Sequence, residues 1–178
     1  MTVFISGGCK NGKSSFAQDA ALQLSAGGKR YYVATMQPHD DEDEARVARH
    51  VRDRDGLGFE TLECGTDILS CLEHADKDGS FLLDSVTALL ANEMFRDGGL
   101  DKAAPARVAD GLMKFCGTVK NAVFVSDFLY SDAARYDEWT EGYRSGLALV
   151  DRALAARCDT VAEISAGICI MHKGELPV

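Results

Sequence analysis

Positive charge is scarce in this sequence of 178 residues: 19 lysines and arginines stand against 28 aspartates and glutamates, a formal net charge of −9. Binding along a nucleic acid or an anionic membrane needs a basic surface to displace counterions, so this balance argues against both partners. Any anion the protein takes has to be held locally. Also missing is a Cys-x-x-Cys pair. The six cysteines (Cys9, Cys64, Cys71, Cys116, Cys158 and Cys169) are scattered, which signals neither a zinc knuckle nor a disulfide scaffold and suits a reducing cytoplasm. No apolar run reaches the ~18–20 residues of a membrane span, and the N-terminus lacks the charged-then-apolar pattern of a signal peptide. Internal repeats and low-complexity segments are absent too. A soluble, unprocessed cytoplasmic protein is expected, and the length suits one domain, residues 1–178, with a well-buried core.

Short apolar runs alternate with longer segments of helical period. The runs are Val3-Phe4-Ile5, Tyr31-Tyr32-Val33-Ala34, Phe81-Leu82-Leu83, Ala122-Val123-Phe124-Val125, Val161 to Ile164 and Ile168 to Met171. Several lack polar alternation, as parallel strands buried on both faces do. Between them Phe16, Ala20 and Leu24, then Val86, Leu89, Leu90 and Met94, and later Leu147, Val150 and Leu154 recur at three-to-four-residue spacing and predict amphipathic helices. Such alternation predicts an α/β layered fold with crossover connections. The glycines, charges and proline of residues 96–105 predict a surface connection.

Gly7-x-x-x-x-Gly12-Lys13-Ser14 is a complete phosphate-binding loop pattern, set between an apolar run and a helical segment. Glycines let backbone N–H groups turn in around phosphates, and the helix N-terminus adds partial positive charge. Lys13 reaches the β/γ-phosphates, while the Ser14 hydroxyl takes a place on magnesium. Oriented dipoles and one or two cations thus hold an anion in an acidic protein. A second carboxylate at the end of a neighbouring strand commonly completes such a site, and Asp84 of "FLLDS" ends an apolar run. The same Asp also suits a cap on the helix that follows.

Residues 34–54 open with an acidic cluster, Asp40 to Glu44, which reads as a solvated helix start. They continue as a helix with Arg46, His50 and Arg54 on one face. Two guanidinium groups beside an imidazole disfavour its protonated form, leaving a neutral ring suited to act as nucleophile or base, and the same cations suit phosphates. On spacing alone, an ordinary surface histidine on a solvated helix is the preferred reading.

Together "FISGGCKNGKSSFAQ", "YYVATM" followed by acids and "RVARH", "ETLEC", "LLDSVTALLANEMF" and "DRALAARCDTVAEISAGI" resemble the adenosylcobinamide kinase / adenosylcobinamide-phosphate guanylyltransferase family over nearly the whole chain. The resemblance implies a P-loop NTPase with a RecA-like, mainly parallel sheet and flanking helices, working with GTP, ATP and Mg2+ in cobalamin assembly and salvage. The aminopropanol hydroxyl of adenosylcobinamide is first phosphorylated; GMP then passes from GTP to that phosphate through a guanylylated histidine. It implies His50 as that histidine, which overturns the spacing-only reading, and Lys13 as a catalytic partner. Gly7, Gly8, Cys9, Lys10, Asn11, Gly12, Lys13 and Ser14 would bind phosphates, Ala34, Thr35 and Met36 line the nucleotide, and His50, Val51, Arg52 and Asp53 surround GMP. Glu63 and Asp84 also match the nucleotide site; either carboxylate suits guanine's N1 and N2 donors, so Asp84 stays open between the base and a magnesium shared with Ser14. Ring-like homotrimers are implied as well. Departures fall late in the chain: Ser126-Asp127-Phe128-Leu129-Tyr130 replaces an Asn-Glu-Val-Gly-like stretch, Asp151 a usual Asn, Glu163 an apolar strand residue and Cys169 a usual Pro. Tyr136, Trp139 and Tyr143 suit an aromatic surface for a flat ligand, with packing the preferred reading of their helical spacing. Alternatives left open are a diverged relative that only binds nucleotide and a P-loop kinase for another alcohol.

Overall fold

Runs of apolar residues that present bulk on both sides of the backbone form strands that must be covered on both faces. The computed structural model describes residues 1–38, 40–96 and 98–177. His39, Asp97 of the expected 96–105 connection, and Val178 at the end of the expected 1–178 domain lie outside the described residues. Six strands run parallel: β1 (Thr2–Gly7), β2 (Arg30–Ala34), β3 (Phe59–Glu63), β4 (Ser80–Asp84), β5 (Asn121–Asp127) and β6 (Thr160–Ser165). The seventh, β7 (Ile168–Lys173), turns back antiparallel to β6. The sheet order is β3-β2-β4-β5-β1-β6-β7.

Strand alternation divides the apolar side chains between two cores. Phe4, Phe81, Leu83 and Phe124 pack under α3 (Val86–Met94), α4 (Ala104–Thr118) and α5 (Glu138–Arg157), against Leu90, Leu112, Phe115, Leu147 and Val150. Val3, Ile5, Leu82, Val123 and Val125 pack under α1 (Lys13–Ser25). Each fully buried large side chain contributes roughly 1.5–3 kcal/mol, and the largest of them are shared between the strands (Tyr31, Phe81, Phe124) and the helices covering them (Leu89, Leu112, Phe115). The α1 stripe differs from the predicted one: Ala17, Ala20 and Ala21 are buried, while Phe16 and Leu24 sit at the margin. Small residues let the helix lie close to the sheet. That closeness keeps the loop feeding α1 at the sheet edge.

Two elements carry little sequence signal. In β3 the exposed Glu60, Thr61 and Glu63 alternate poorly with half-buried neighbours, because β3 is an edge strand. α4 begins inside the expected connection, with Pro105 in the first turn, where its missing N–H costs nothing. α2 (Asp41–Asp53) has no buried residue; Asp40 caps it by accepting from the Asp43 N–H at 2.8 Å, and its acidic first turn complements the helix dipole. Among the described residues, no helix is long and apolar enough to cross a membrane.

Candidate active site

Parallel pairing brings the carboxyl ends of the strands to one edge, where Gly7 is paired with Asp127 and Ala34 with both Glu63 and Asp84. The glycine-rich loop leaves β1 here and enters α1. Gly7 has φ +151°, and a Cβ on it would run into the backbone carbonyl of Ile164 on β6; Gly12, the N-cap, has φ +89°. Neither position suits an L side chain, so the loop's shape depends on these two glycines. Gly8 and Asn11 sit half-buried, and Cys9 and Lys10 face solvent.

Lys13, the first residue of α1, is 6% exposed. Its ammonium donates to the Gly8 carbonyl at 2.7 Å and to Asp127 Oδ1 at 2.7 Å. The lysine is thereby held across the mouth of the loop. Asp127 at the end of β5 is a partner that spacing did not single out, although "AVFVSD" repeats the apolar-run-then-Asp pattern of "FLLD".

Asp84 is the point where the other predicted residues meet. Its Oδ2 accepts from the Tyr32 hydroxyl at 3.1 Å and from the Ser14 hydroxyl at 3.5 Å, and lies 3.9 Å from His50 Nδ1. It does not cap the next helix. Ser85 does that, accepting from the Ala88 N–H at 3.2 Å, which frees the Asp84 carboxylate for the site. Burial, reinforced by the Asp84 carboxylate, holds the Tyr32 phenol far above its ordinary range, so it stays a donor. The Ser14 and Asp84 oxygens form a hard donor pair, and magnesium, which keeps waters and takes one or two protein oxygens beside phosphates, fits it.

His50 stands on the last full turn of α2, 27% exposed at its side chain, with Nδ1 buried and lacking a hydrogen-bond partner among the described residues. The charged group facing Nδ1 is Asp84. Of the two arginines expected beside it, Arg46 is exposed and Arg54, the C-cap of α2, is buried with its guanidinium 3.3 Å above the Tyr32 ring centroid. Arg54 Nη1 has no hydrogen-bond partner among the described residues. A buried cation in that condition is costly unless an anion reaches it. The stack also ties the otherwise exposed α2 to the sheet.

The remaining predicted positions line the same edge with looser connections. Thr35 is fully buried: its hydroxyl accepts from the Ser85 N–H at 2.7 Å and donates to the Ser85 carbonyl at 2.8 Å. Asn92 donates to the carbonyls of Thr35 and Gly65, each at 2.8 Å, fixing the turn after β2. Ala34 and Met36 are half-buried on either side of it. Glu63 is exposed at the end of β3. Val51, Arg52 and Asp53 are exposed on the last turn of α2.

The late departures are accommodated in the interior and on the last hairpin. Asp151 is 2% exposed and accepts from the hydroxyls of Ser126 and Tyr130, both at 3.1 Å; burial pushes its carboxyl up to about 7. Glu163 pairs with His172 across β6 and β7 at 3.0 Å. Trp139 stacks on Phe95 with ring centroids 5.9 Å apart while staying 48% exposed, and the half-buried Tyr143 donates to the Thr87 carbonyl. Tyr136 lies under the Arg144 guanidinium.

The chain is similar to known proteins in sequence and in fold. The model of a family described as cobinamide kinase / cobinamide phosphate guanyltransferase matches residues 3–171. The bifunctional adenosylcobalamin biosynthesis protein CobU of Salmonella typhimurium is 29% identical over 190 residues, covering 97% of this chain and 100% of the relative. Among solved structures, the flagellar accessory protein FlaH from Methanocaldococcus jannaschii superposes with a TM-score of 0.53 at 13% identity, over 99% of this chain and 79% of FlaH. The RadB recombinase superposes with a TM-score of 0.51 at 18% identity, over 99% of this chain and 82% of RadB. At those identities the likeness is one of fold, a RecA-like P-loop sheet.

Proposed function

The chain belongs to the cobinamide kinase / cobinamide phosphate guanyltransferase family, and on that premise we propose that its sheet edge runs two reactions, with His50 as the transient carrier of GMP. The protein is a nucleoside-triphosphate-dependent kinase and guanylyltransferase of cobalamin biosynthesis. In the first reaction the alcohol of adenosylcobinamide takes the γ-phosphoryl group of ATP or GTP. In the second, His50 Nε2 bonds to the α-phosphorus of GTP as the bond to pyrophosphate breaks; an oxygen of the adenosylcobinamide phosphate then bonds to that phosphorus, and the bond to nitrogen breaks.

The observation that carries this reading is the placement of His50 Nδ1, buried and 3.9 Å from Asp84 Oδ2. An Nδ1–H directed at that carboxylate leaves Nε2 as the free lone pair, the tautomer a nucleophilic imidazole requires. The loop from Gly7 to Ser14, with Cys9, Lys10 and Asn11 at its tip, cradles phosphates. Lys13 exchanges its bonds to Gly8 and Asp127 for phosphate oxygens, and Arg54 supplies the buried cation that a phosphate satisfies. Ser14 and Asp84 would hold Mg2+, whose chemistry is to neutralise charge on the transferring phosphates. Glu63, exposed at the end of β3, is suited to accept from guanine N1 and N2, beside the Ala34-Thr35-Met36 turn. Val51, Arg52 and Asp53, which follow His50 on α2, would surround GMP once it sits on that histidine. Exposed Ile168, Ile170 and Met171 on the outermost strand support association of copies, as in the trimer implied by the resemblance.

The test is to incubate the protein with magnesium and GTP labelled at the α-phosphate. A phosphoramidate adduct, acid-labile and base-stable, is expected on the wild type and absent from His50→Ala, which should still phosphorylate adenosylcobinamide. An adduct that survives in His50→Ala, or none in wild type that completes both reactions, would overturn the histidine route.

A further inference from the structure

We infer that Asp127 is the general base of the phosphorylation step, taking the proton of the acceptor's hydroxyl; the inference rests on the reading of this chain as a kinase of an alcohol. The two reactions differ in one respect that the site must meet. An alcohol carries a proton that has to leave as its oxygen bonds to phosphorus, whereas a phosphate acceptor attacks through an oxygen that is already anionic. A carboxylate near the γ-phosphoryl position, and not engaged on the metal side, is therefore needed for the first reaction alone.

Strand order selects the candidate. Glu63 ends β3, four strand spacings from the loop strand β1, or about 19 Å. Asp84 ends β4, two spacings away, and its Oδ2 is already engaged by Tyr32 and Ser14 and faces His50. Asp127 ends β5, the immediate neighbour of β1, and is paired in register with Gly7. Its backbone is pinned on both sides: the Asp127 N–H donates to Thr87 Oγ1 at 2.8 Å, and the Phe128 N–H donates to the Gly7 carbonyl at 2.9 Å. Its Oδ1 lies 2.7 Å from the Lys13 ammonium, the group that a P-loop lysine brings to the β/γ-phosphates. Asp127 thus stands one ammonium away from the reacting phosphoryl group. The side chain is 30% exposed, so an incoming hydroxyl can reach it, and the exposed Phe128 and Leu129 that follow offer a bulky acceptor an apolar rest beside it.

In the step itself, the hydroxyl oxygen bonds to the γ-phosphorus and the bond from that phosphorus to the β,γ-bridging oxygen breaks. The nucleoside diphosphate leaves with the bond's electron pair, and the hydroxyl proton passes to the Asp127 carboxylate and on to water. Lys13, turned to the phosphates, no longer occupies the carboxylate.

The experiment uses the full chain and assays the reactions separately: ATP or GTP with adenosylcobinamide for phosphorylation, and GTP with pre-formed adenosylcobinamide phosphate for guanylyl transfer. Asp127→Asn keeps the shape and an acceptor for Lys13 while removing the base. Its kcat for phosphorylation should fall at least about a hundredfold more than its kcat for guanylyl transfer. The KM for the triphosphate should stay within about threefold, because the lost group acts on the acceptor's proton. Asp127→Glu should recover at least about a tenth of the lost kcat, since it restores a carboxylate at the same strand end. The GTP dissociation constant of each variant checks that the loop is intact. Equal losses in both reactions, a raised triphosphate KM with kcat unchanged, or phosphorylation within about threefold of wild type would overturn the inference and leave Asp127 as a counter-ion of Lys13. Wild type that transfers GMP but never phosphorylates the alcohol also overturns it, without touching the guanylyltransferase reading; wild type that does neither overturns that reading instead.

Discussion

Replacing Asp151 with asparagine should remove a pH dependence of stability that the buried carboxyl imposes. Asp151 is 2% exposed, and burial carries its carboxyl from an ordinary 3.8 up to about 7, with the hydroxyls of Ser126 and Tyr130 opposing the shift and the Asp127 charge adding to it. A raised folded value means that the folded chain binds the proton more tightly. The contribution is therefore fully present below about pH 4 and lost as pH rises through about 7. At about 1.4 kcal/mol per pH unit of displacement, the full range is about 4 kcal/mol, and the part lost between pH 5 and pH 8 is about 3 kcal/mol. Asparagine keeps an oxygen for the two hydroxyls. It also places an N–H2 group where Oδ1 now has no partner among the described residues, a cost of about 1–3 kcal/mol that does not vary with pH. Urea unfolding of both proteins at pH 5 and pH 8 isolates the titration, because the constant offset cancels. Relative to Asp151→Asn, wild type should lose about 3 kcal/mol on going to pH 8, which at an m-value of about 1–3 kcal/mol/M is a midpoint shift of roughly 1–3 M. A stability gap that is the same at both pH values within about 0.5 kcal/mol would refute the reasoning.

The two loop glycines separate steric from conformational cost. Gly12→Ala meets nothing within 4 Å and bears only the left-handed backbone, about 1–2 kcal/mol, whereas Gly7→Ala drives a Cβ into the Ile164 carbonyl and should cost well over about 2 kcal/mol; thermal melting compares them directly. Tyr32→Phe deletes the donor to Asp84 while keeping the ring under Arg54, so guanylylation of His50 should slow by roughly tenfold and stability fall by about 1–3 kcal/mol. Because the phenol's proton is held far above the ordinary range, the defect should be constant from pH 6 to pH 9 in adduct-formation rates.

Local order is where the sequence spoke clearly. The loop from Gly7 to Ser14, the strands around Phe4, Phe81 and Phe124, and the stripe of α3 are each specified within a dozen residues, because backbone torsions and the burial of neighbouring side chains are short-range effects. The edge strand β3 and the start of α4 were not legible, since one has no strong alternation and the other opens in a stretch rich in glycine and charge. Charge partners were illegible for a different reason. Asp127 lies 114 positions from Lys13, and Asp84 lies 34 from His50; only the sheet order, with crossovers that carry the chain from one side of β1 to the other, seats them side by side. A sequence pattern can name a lysine and a histidine suited to phosphate chemistry. Which carboxylate each one faces, and whether Arg54 is solvated or stacked on Tyr32, is decided by packing between distant segments.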